Sequence, residues 1–381
     1  MIAACIGALS LAIWIYLVFA RGGFWRMRSG DQALTGILPP SRRVAAIVPA
    51  RNEAQTVGQA IQSLLQQDYA APLHIFLVDD HSSDETANIA RRAAQQAGRP
   101  DCVTIVEAGP LPRGWTGKLW ALSEGIKAAE SFAADYYWFT DADILHLPDN
   151  LAGLVARAEA GGFDLVSLMV KLRCESFAER MLIPAFVFFF FKLYPPAWVA
   201  RMDKRTAAAA GGCILIHPRA LTRIGGIAAI RDQLIDDCAL ARAVKFGGPI
   251  WLGPTSKASS LRAYGSFKDI GRMIARSAFT QLRHSALLLC GVIIAMTITY
   301  VAPPLLLGMG RGAAAFGLGA WLLMAVAYWP TLRFYRLSLF WAPLLPLIAL
   351  FYLGATIYSA VQYWAGEGGR WKGRIQDLAG N

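Results

Sequence analysis

Two hydrophobic regimes share this chain. Residues 2–20 form an uncharged apolar run, and 285–310, 313–330 and 339–364 form three more. Crossing a bilayer takes ~20 apolar residues, so all four predict transmembrane helices, the third being the shortest. Between them, from Val44, short apolar stretches alternate with amphipathic ones. Residues 44–48, 74–78, 103–106, 136–140 and 165–170 predict strands. Residues 55–67, 84–97, the neighbourhood of 119–132, and 150–160 predict helices. In the first of these Val57, Ile61, Leu64 and Leu65 share one face. Residues 145–148 read as a loop. Apolar strands separated by helices predict an α/β fold: a mostly parallel sheet covered by helices on both faces.

After Val170 the alternation stops. Residues 181–198 carry Phe186 and then Phe188–Phe191 ahead of Lys192 and Pro195-Pro196. About 14 apolar residues precede the lysine, short for a crossing, so an interfacial segment, a lid over an apolar acceptor, or a buried core helix all fit. Residues 266–284 set Phe267, Ile270, Ile274 and Leu282 against Lys268, Arg272, Arg276 and Arg283, a basic amphipathic interfacial helix. Residues 214–217 predict a further strand and 235–246 a late helix.

Composition sharpens the picture. Of 381 residues 55% are apolar and 17% charged, too greasy for an ordinary soluble enzyme. No Lys or Arg precedes the first run, which favours an uncleaved anchor over a signal peptide. Arg21, Arg26, Arg28, Arg42 and Arg43 follow it and predict a cytoplasmic domain at a bacterial-type inner membrane. The formal charge of +11 clusters near the apolar runs, without the basic stripe and stacking aromatics of a nucleic-acid binder. Three C-terminal crossings would leave the tail outside, yet Arg370, Lys372 and Arg374 ask for the inside. Either one apolar run is re-entrant or interfacial, or the positive-inside rule fails at the tail. The six cysteines show no C-x-x-C spacing, so neither a disulfide framework nor a zinc site is expected.

Chemistry gathers at the ends of the predicted strands. Asp141-Ala-Asp143 follows the aromatic strand 136–140; two carboxylates one residue apart suit Mg²⁺ or Mn²⁺ shared with phosphate and water. Pro49-Ala50-Arg51-Asn52-Glu53 closes the first strand and Asp79-Asp80-His81-Ser82-Ser83-Asp84-Glu85-Thr86 the second. Ser83 or Asp84 can cap the following helix, while Asp79 and Asp80 sit where nucleotide folds bind a ribose or a base. Gly114-Trp115-Thr116-Gly117-Lys118 opens the next helix, where a lysine at an N-terminus could meet a diphosphate, although the full P-loop pattern is missing. Asp236-Asp237 begins the late helix; such acids are usually caps, and a base there would need a raised pKa. Asp232 is the nearby alternative base.

Together these segments resemble the family-2 glycosyltransferases, with the four acidic motifs in the family's order between about Val44 and His284. Within that family, Gly-Trp-Thr-Gly-Lys, the aromatic run, the C-terminal apolar part and the Trp371-Lys372-Gly373-Arg374 tail resemble the hopene-associated glycosyltransferases, near ceramide glucosyltransferases and carotenoid glycosyltransferases. The resemblance implies a GT-A type fold, nucleotide contacts from Pro49, Ala50, Glu53, Asp80 and Asp141, and Lys118 near the pyrophosphate. It implies Asp141 and Asp143 as metal ligands for Mg²⁺ or Mn²⁺, Asp237 as the base with Asp236 replacing the family's Glu, and Gly211-Gly212-Cys213 on the acceptor side. Of the family's Q/R-x-x-R-W element only Arg283 is kept, which fits a distributive enzyme better than a processive one.

The implied organisation is an anchor (1–21), a catalytic domain (42–265) with 177–200 as its interfacial or lid segment, the basic helix (266–284), an apolar region (285–365) and a basic tail (366–381). The implied function is a membrane-bound inverting transferase moving a sugar from a nucleotide-sugar donor, UDP-sugar foremost, to a hopanoid, other isoprenoid or ceramide-like lipid. A processive polysaccharide synthase and a non-enzymatic nucleotide-sugar or lipid-binding membrane protein are the alternatives.

Overall fold

The structure is a computed structural model that describes residues 1–28, 31, 41–366, 370–371 and 374–375. The chain divides into two compact units, one drawn from Met1–Met27, Cys174–Ala197 and Ala263–Arg370, the other chiefly from Arg28–Arg173 and Trp198–Arg262.

The second unit is an eight-stranded sheet. Its strands are β1 (Val44–Ala50), β2 (Leu73–Asp79), β3 (Val103–Glu107), β4 (Tyr136–Phe139), β5 (Ile144–His146), β6 (Leu165–Lys171), β7 (Ile214–Ile216) and β8 (Ile250–Ser260). Their spatial order is β3-β2-β1-β4-β7-β6-β8-β5. The β1/β2, β2/β3, β1/β4 and β6/β8 pairs are parallel, and β4/β7, β6/β7 and β5/β8 antiparallel. All seven residues of β1 are buried, as a central strand covered on both faces requires. Helices Val57–Leu65, Thr86–Gln96, Gly117–Ala128 and Asn150–Gly161 supply that cover. Gly125 lets one of them lie close on β1 and β2, since a Cβ there would meet Ile47 Cγ2 at 2.5 Å and Val78 Cγ2 at 2.8 Å.

One expected loop is a strand. Residues 144–146 pair with β8, Ile144 opposite Ser260, because the chain turns back at Asp141 and finds an open edge. The expected helices 55–67 and 84–97 are trimmed at their N-termini, where side chains occupy the backbone donors. Asp84 accepts from the N–H of Thr86 at 3.1 Å and of Ala54 at 3.1 Å.

The first unit is helical. Among the described residues five segments are long and apolar enough to cross a membrane: Ile2–Phe19, Phe177–Val199, Ala286–Gly308, Arg311–Phe334 and Leu339–Trp364. A capping box starts the helix of the second of these segments at Phe177. Ser176 Oγ accepts from Glu179 N–H, and the Glu179 carboxylate accepts from Ser176 N–H. The sequence division placed this segment with the catalytic domain, whereas its contacts group it with the apolar helices. Its flanks nevertheless join one sheet, β6 before it pairing with β7 after it, so a single crossing here is excluded by connectivity. Lys192 is accommodated by donating to Tyr300 Oη at 2.8 Å and lying over the Phe189 and Tyr300 rings. The helix Phe267–Gln281, capped by Ser266, matches the expected basic amphipathic segment. Side chains of the basic tail, including Arg370, Lys372 and Arg374, lie outside the described residues. All six cysteines are free thiols.

Candidate active site

The C-terminal ends of β1, β2 and β4 open on the same edge of the sheet, as parallel pairing dictates. The loops after β1 and β2 are laced together. Asn52 N–H donates to Ser82 Oγ at 3.0 Å, Asn52 Oδ1 accepts from Ser83 N–H at 2.8 Å, and Glu53 N–H donates to Thr86 Oγ1 at 2.8 Å. Asn52 and His81 hold left-handed backbone, at φ 52° and 53°. Asp79 is absorbed by this loop through Ser82. Asp80 is buried, with its carboxylate 3.5 Å from Arg51 Nη1.

A pocket next to these loops is lined by Pro49, Lys118, Asp141, Gly211, Asp236 and Asp237. Lys118, at the start of a helix capped by Thr116, has its ammonium 2.8 Å from Asp141 Oδ1 and 3.4 Å from Asp236 Oδ2. It therefore ties the Asp-x-Asp turn after β4 to the acidic pair that opens helix Asp236–Lys245. Burial opposes its charge, but Asp141 and Asp236 outweigh that and raise its pKa. Gly211 donates its N–H to Asp237 Oδ2 at 2.9 Å, and a Cβ there would stand 3.2 Å from Lys118 Nζ. Asp237 is pushed up to about 6, by burial first and by Asp236 second, with Lys118 pulling the other way. That is a carboxylate still ionised at neutral pH yet basic enough to take a proton. Asp232, the alternative base, is exposed and accepts from Gln233.

Asp143 is buried, and burial followed by the charge of Asp141 raises its pKa, while Arg262 lowers it. Among the described residues no cluster of three or more His, Cys, Asp or Glu could hold a metal. The protein offers two mutually repelling carboxylates, which fits a hard dication that fills its shell with diphosphate oxygens and water.

Behind this rim lies a buried hydrogen-bond chain that the sequence did not disclose. Asn150 Nδ2 donates to His146 Nδ1 at 3.0 Å, which leaves the imidazole proton on Nε2. His146 Nε2 meets Thr140 Oγ1 at 2.9 Å, and the Thr140 hydroxyl donates to Gly212 C=O at 3.0 Å. Burial lowers the His146 pKa to about 3, so the ring stays neutral. The chain links the strand end carrying Asp141 to the turn that holds Asp237. Trp138 Nε1 donates to Cys213 Sγ at 3.4 Å, and burial pushes that thiol up to about 12, so Cys213 is a packing group.

Structure thus gathers Pro49, Lys118, Asp141, Gly211, Asp236 and Asp237 in one pocket, with Ala50, Glu53, Asp80, Asp143, Gly212 and Cys213 on adjoining strand ends and loops of the same unit. Arg283 belongs to the other unit, just after helix Phe267–Gln281, with left-handed backbone at φ 53°. Arg262, absent from every sequence motif, bridges Glu53 and Asp143.

Residues 45–225 match the profile of Glycosyl transferase family 2. The undecaprenyl-phosphate 4-deoxy-4-formamido-L-arabinose transferase of Pseudomonas fluorescens is 32% identical over 147 residues, 37% of this chain and 39% of that protein. The 4,4'-diaponeurosporenoate glycosyltransferase of Staphylococcus aureus is 31% identical over 107 residues, 28% of this chain and 25% of that protein. This chain thus spans well under half the length of either relative. Among solved structures, the mannosyltransferase PcManGT from Pyrobaculum calidifontis, in complex with GDP-Man and Mn²⁺, aligns with a TM-score of 0.54 at 21% identity. The alignment covers 92% of this chain and 99% of that one, and it shows a shared GT-A type fold.

Proposed function

We propose, from the match of residues 45–225 to Glycosyl transferase family 2, that this chain is a membrane-bound inverting glycosyltransferase. It moves a sugar from a nucleoside-diphosphate donor to a hydroxyl of a lipid. The observation that carries this reading is the bridge made by Lys118 between Asp141 and Asp236, which joins a donor-side acid to an acceptor-side acid in one pocket. The five apolar segments support a membrane location, and the arginines from Arg21 onward support a cytoplasmic catalytic domain at a bacterial inner membrane.

The residues divide the work as follows. Pro49, Ala50, Glu53 and Asp80 hold the nucleoside, and Lys118 faces the diphosphate. Asp141 and Asp143 hold Mg²⁺ or Mn²⁺, which when bound supplies Lewis-acid stabilisation of the leaving diphosphate. Asp237 accepts the proton of the acceptor hydroxyl as its oxygen bonds to the anomeric carbon. The bond from that carbon to the diphosphate oxygen breaks in the same step, and the configuration inverts. Lys118 meets the negative charge that collects on the leaving group. Asp236 keeps Asp237 basic, and Gly211 orients it by its N–H. Gly211 and Gly212 complete the acceptor side, with Cys213 packed against Trp138.

The donor is a UDP-sugar and the acceptor a hopanoid, another isoprenoid or a ceramide-like lipid, readings supported by the sequence resemblance and by lipid-directed relatives. Mass spectrometry of lipids from cells with and without the gene tests this. A glycolipid lost with the gene and restored by it, but not by Asp237→Asn, is the expected result. Unchanged lipid profiles would refute the reading.

A further inference from the structure

Glu53 and Asp143 come from different strand ends, and Arg262 engages both. Its Nε donates to Asp143 Oδ2 at 2.6 Å, and Nη2 donates to Glu53 Oε1 at 2.9 Å. The backbone sets this placement. β8 brings Ser260 opposite Ile144, Leu261 N–H donates to Asp143 C=O at 2.8 Å, and Arg262 N–H donates to Ser260 Oγ at 3.2 Å. Asp143 is buried, whereas the Arg262 side chain is 41% exposed, so a ligand can reach its guanidinium.

Two consequences follow from this chemistry. An oxygen of Asp143 that accepts from a guanidinium is a poorer ligand for a cation, and the fixed positive charge repels one. A guanidinium also pairs in two-pronged fashion with phosphate, for which it is better suited than an ammonium. The same side chain therefore opposes a bare dication and favours a diphosphate.

We propose that Arg262 is an internal counter-ion that makes cation and nucleotide bind together. It occupies Asp143 and Glu53 in the donor-free protein, and it gives them up when a nucleoside diphosphate offers its phosphates instead. The inference rests on the donor-site reading above, and it adds an order of assembly: the cation alone binds poorly, and each ligand strengthens the other by the same factor.

The test is an Mn²⁺ titration of the full-length protein in detergent, followed by loss of the free-Mn²⁺ EPR signal, with and without UDP or GDP. Wild type should bind Mn²⁺ alone weakly and at least about tenfold more tightly with nucleotide. Arg262→Ala should bind Mn²⁺ alone roughly five- to tenfold more tightly than wild type, bind nucleotide less well, and lose most of the mutual strengthening. A merely structural arginine would on removal weaken Mn²⁺ binding, so unchanged or weaker binding in Arg262→Ala overturns the proposal. Should that variant not fold, Arg262→Gln removes the charge while keeping hydrogen bonds and is judged by the same two results. A wild type whose Mn²⁺ binding ignores every nucleotide would overturn the donor-site reading, and this inference with it.

Discussion

Replacing Lys118 by Met should move the acid limb of the pH–rate profile upward. Asp237 has a pKa of about 6, lifted by burial and by Asp236 and held down by Lys118. An opposite charge at this range is worth ~1–3 pKa units, and the lower figure suits a lysine whose ammonium is shared with Asp141 and Asp236. Asp237 would then titrate near 7. At pH 6 its ionised fraction falls from about one half to about one tenth, roughly fivefold, whereas at pH 8 it falls by only about a tenth. The limb to follow is that of kcat/KM for the donor, because that ratio reports groups of the free enzyme. Release of nucleoside diphosphate between pH 5 and 8 measures it. The plateau itself should also drop, about tenfold or more, because a cation facing the leaving group is lost. Only the position of the limb tests the electrostatics. A limb in Lys118→Met at or below that of wild type would show that Lys118 does not stabilise ionised Asp237.

Other perturbations isolate single parts of the site. Asp237→Asn should cut kcat by about 10²–10⁴ while nucleotide binding, followed by calorimetry, stays intact. His146→Phe breaks the chain through Thr140 to Gly212, and it should lower kcat about tenfold. His146→Gln, which can restore the donor to Thr140, should recover most of that loss in the same assay. Because His146 is neutral above about pH 3, neither variant should alter the pH profile between 5 and 8 through titration of this ring. Gly125→Val should destabilise the sheet unit by about 1–3 kcal/mol, since its side chain would enter the space of Ile47 and Val78. Thermal inactivation in detergent would show it, and unchanged midpoints would disprove the close packing.

The fold was legible where periodicity and length agree. Strand β1 is an uninterrupted apolar run of seven residues, and β6 is apolar but for Ser167 and the terminal Lys171, patterns that a doubly covered sheet accommodates. Residues 145–148 read as a loop because so short a stretch carries no period; the strand state of 144–146 comes from β8, more than 100 positions away. Lys192 makes the apolar stretch of Phe177–Val199 look too short for a crossing, whereas Tyr300 and Phe189 receive its ammonium inside the fold. Site acids announced themselves as pairs, after strands at Asp79-Asp80 and Asp141-Ala-Asp143 and at a helix start at Asp236-Asp237. Arg262 and His146 did not, since an isolated arginine after Ser-Ser-Leu and a histidine between two leucines have local contexts that suggest nothing. Their partners, Glu53 and Thr140, are fixed by the sheet rather than by spacing in the chain.

The central claim is that one donor site is assembled from Asp141 and Asp143 on one side and Asp237 on the other, with Lys118 between them. A structure of the protein with Mn²⁺ and a nucleoside diphosphate, with data collected at the manganese absorption edge, tests it most directly. One anomalous peak is expected against the Asp141 and Asp143 carboxylates, with the diphosphate reaching Lys118 in the pocket that Asp237 lines. A peak elsewhere, or a nucleotide bound away from Lys118 and Asp237, would contradict it.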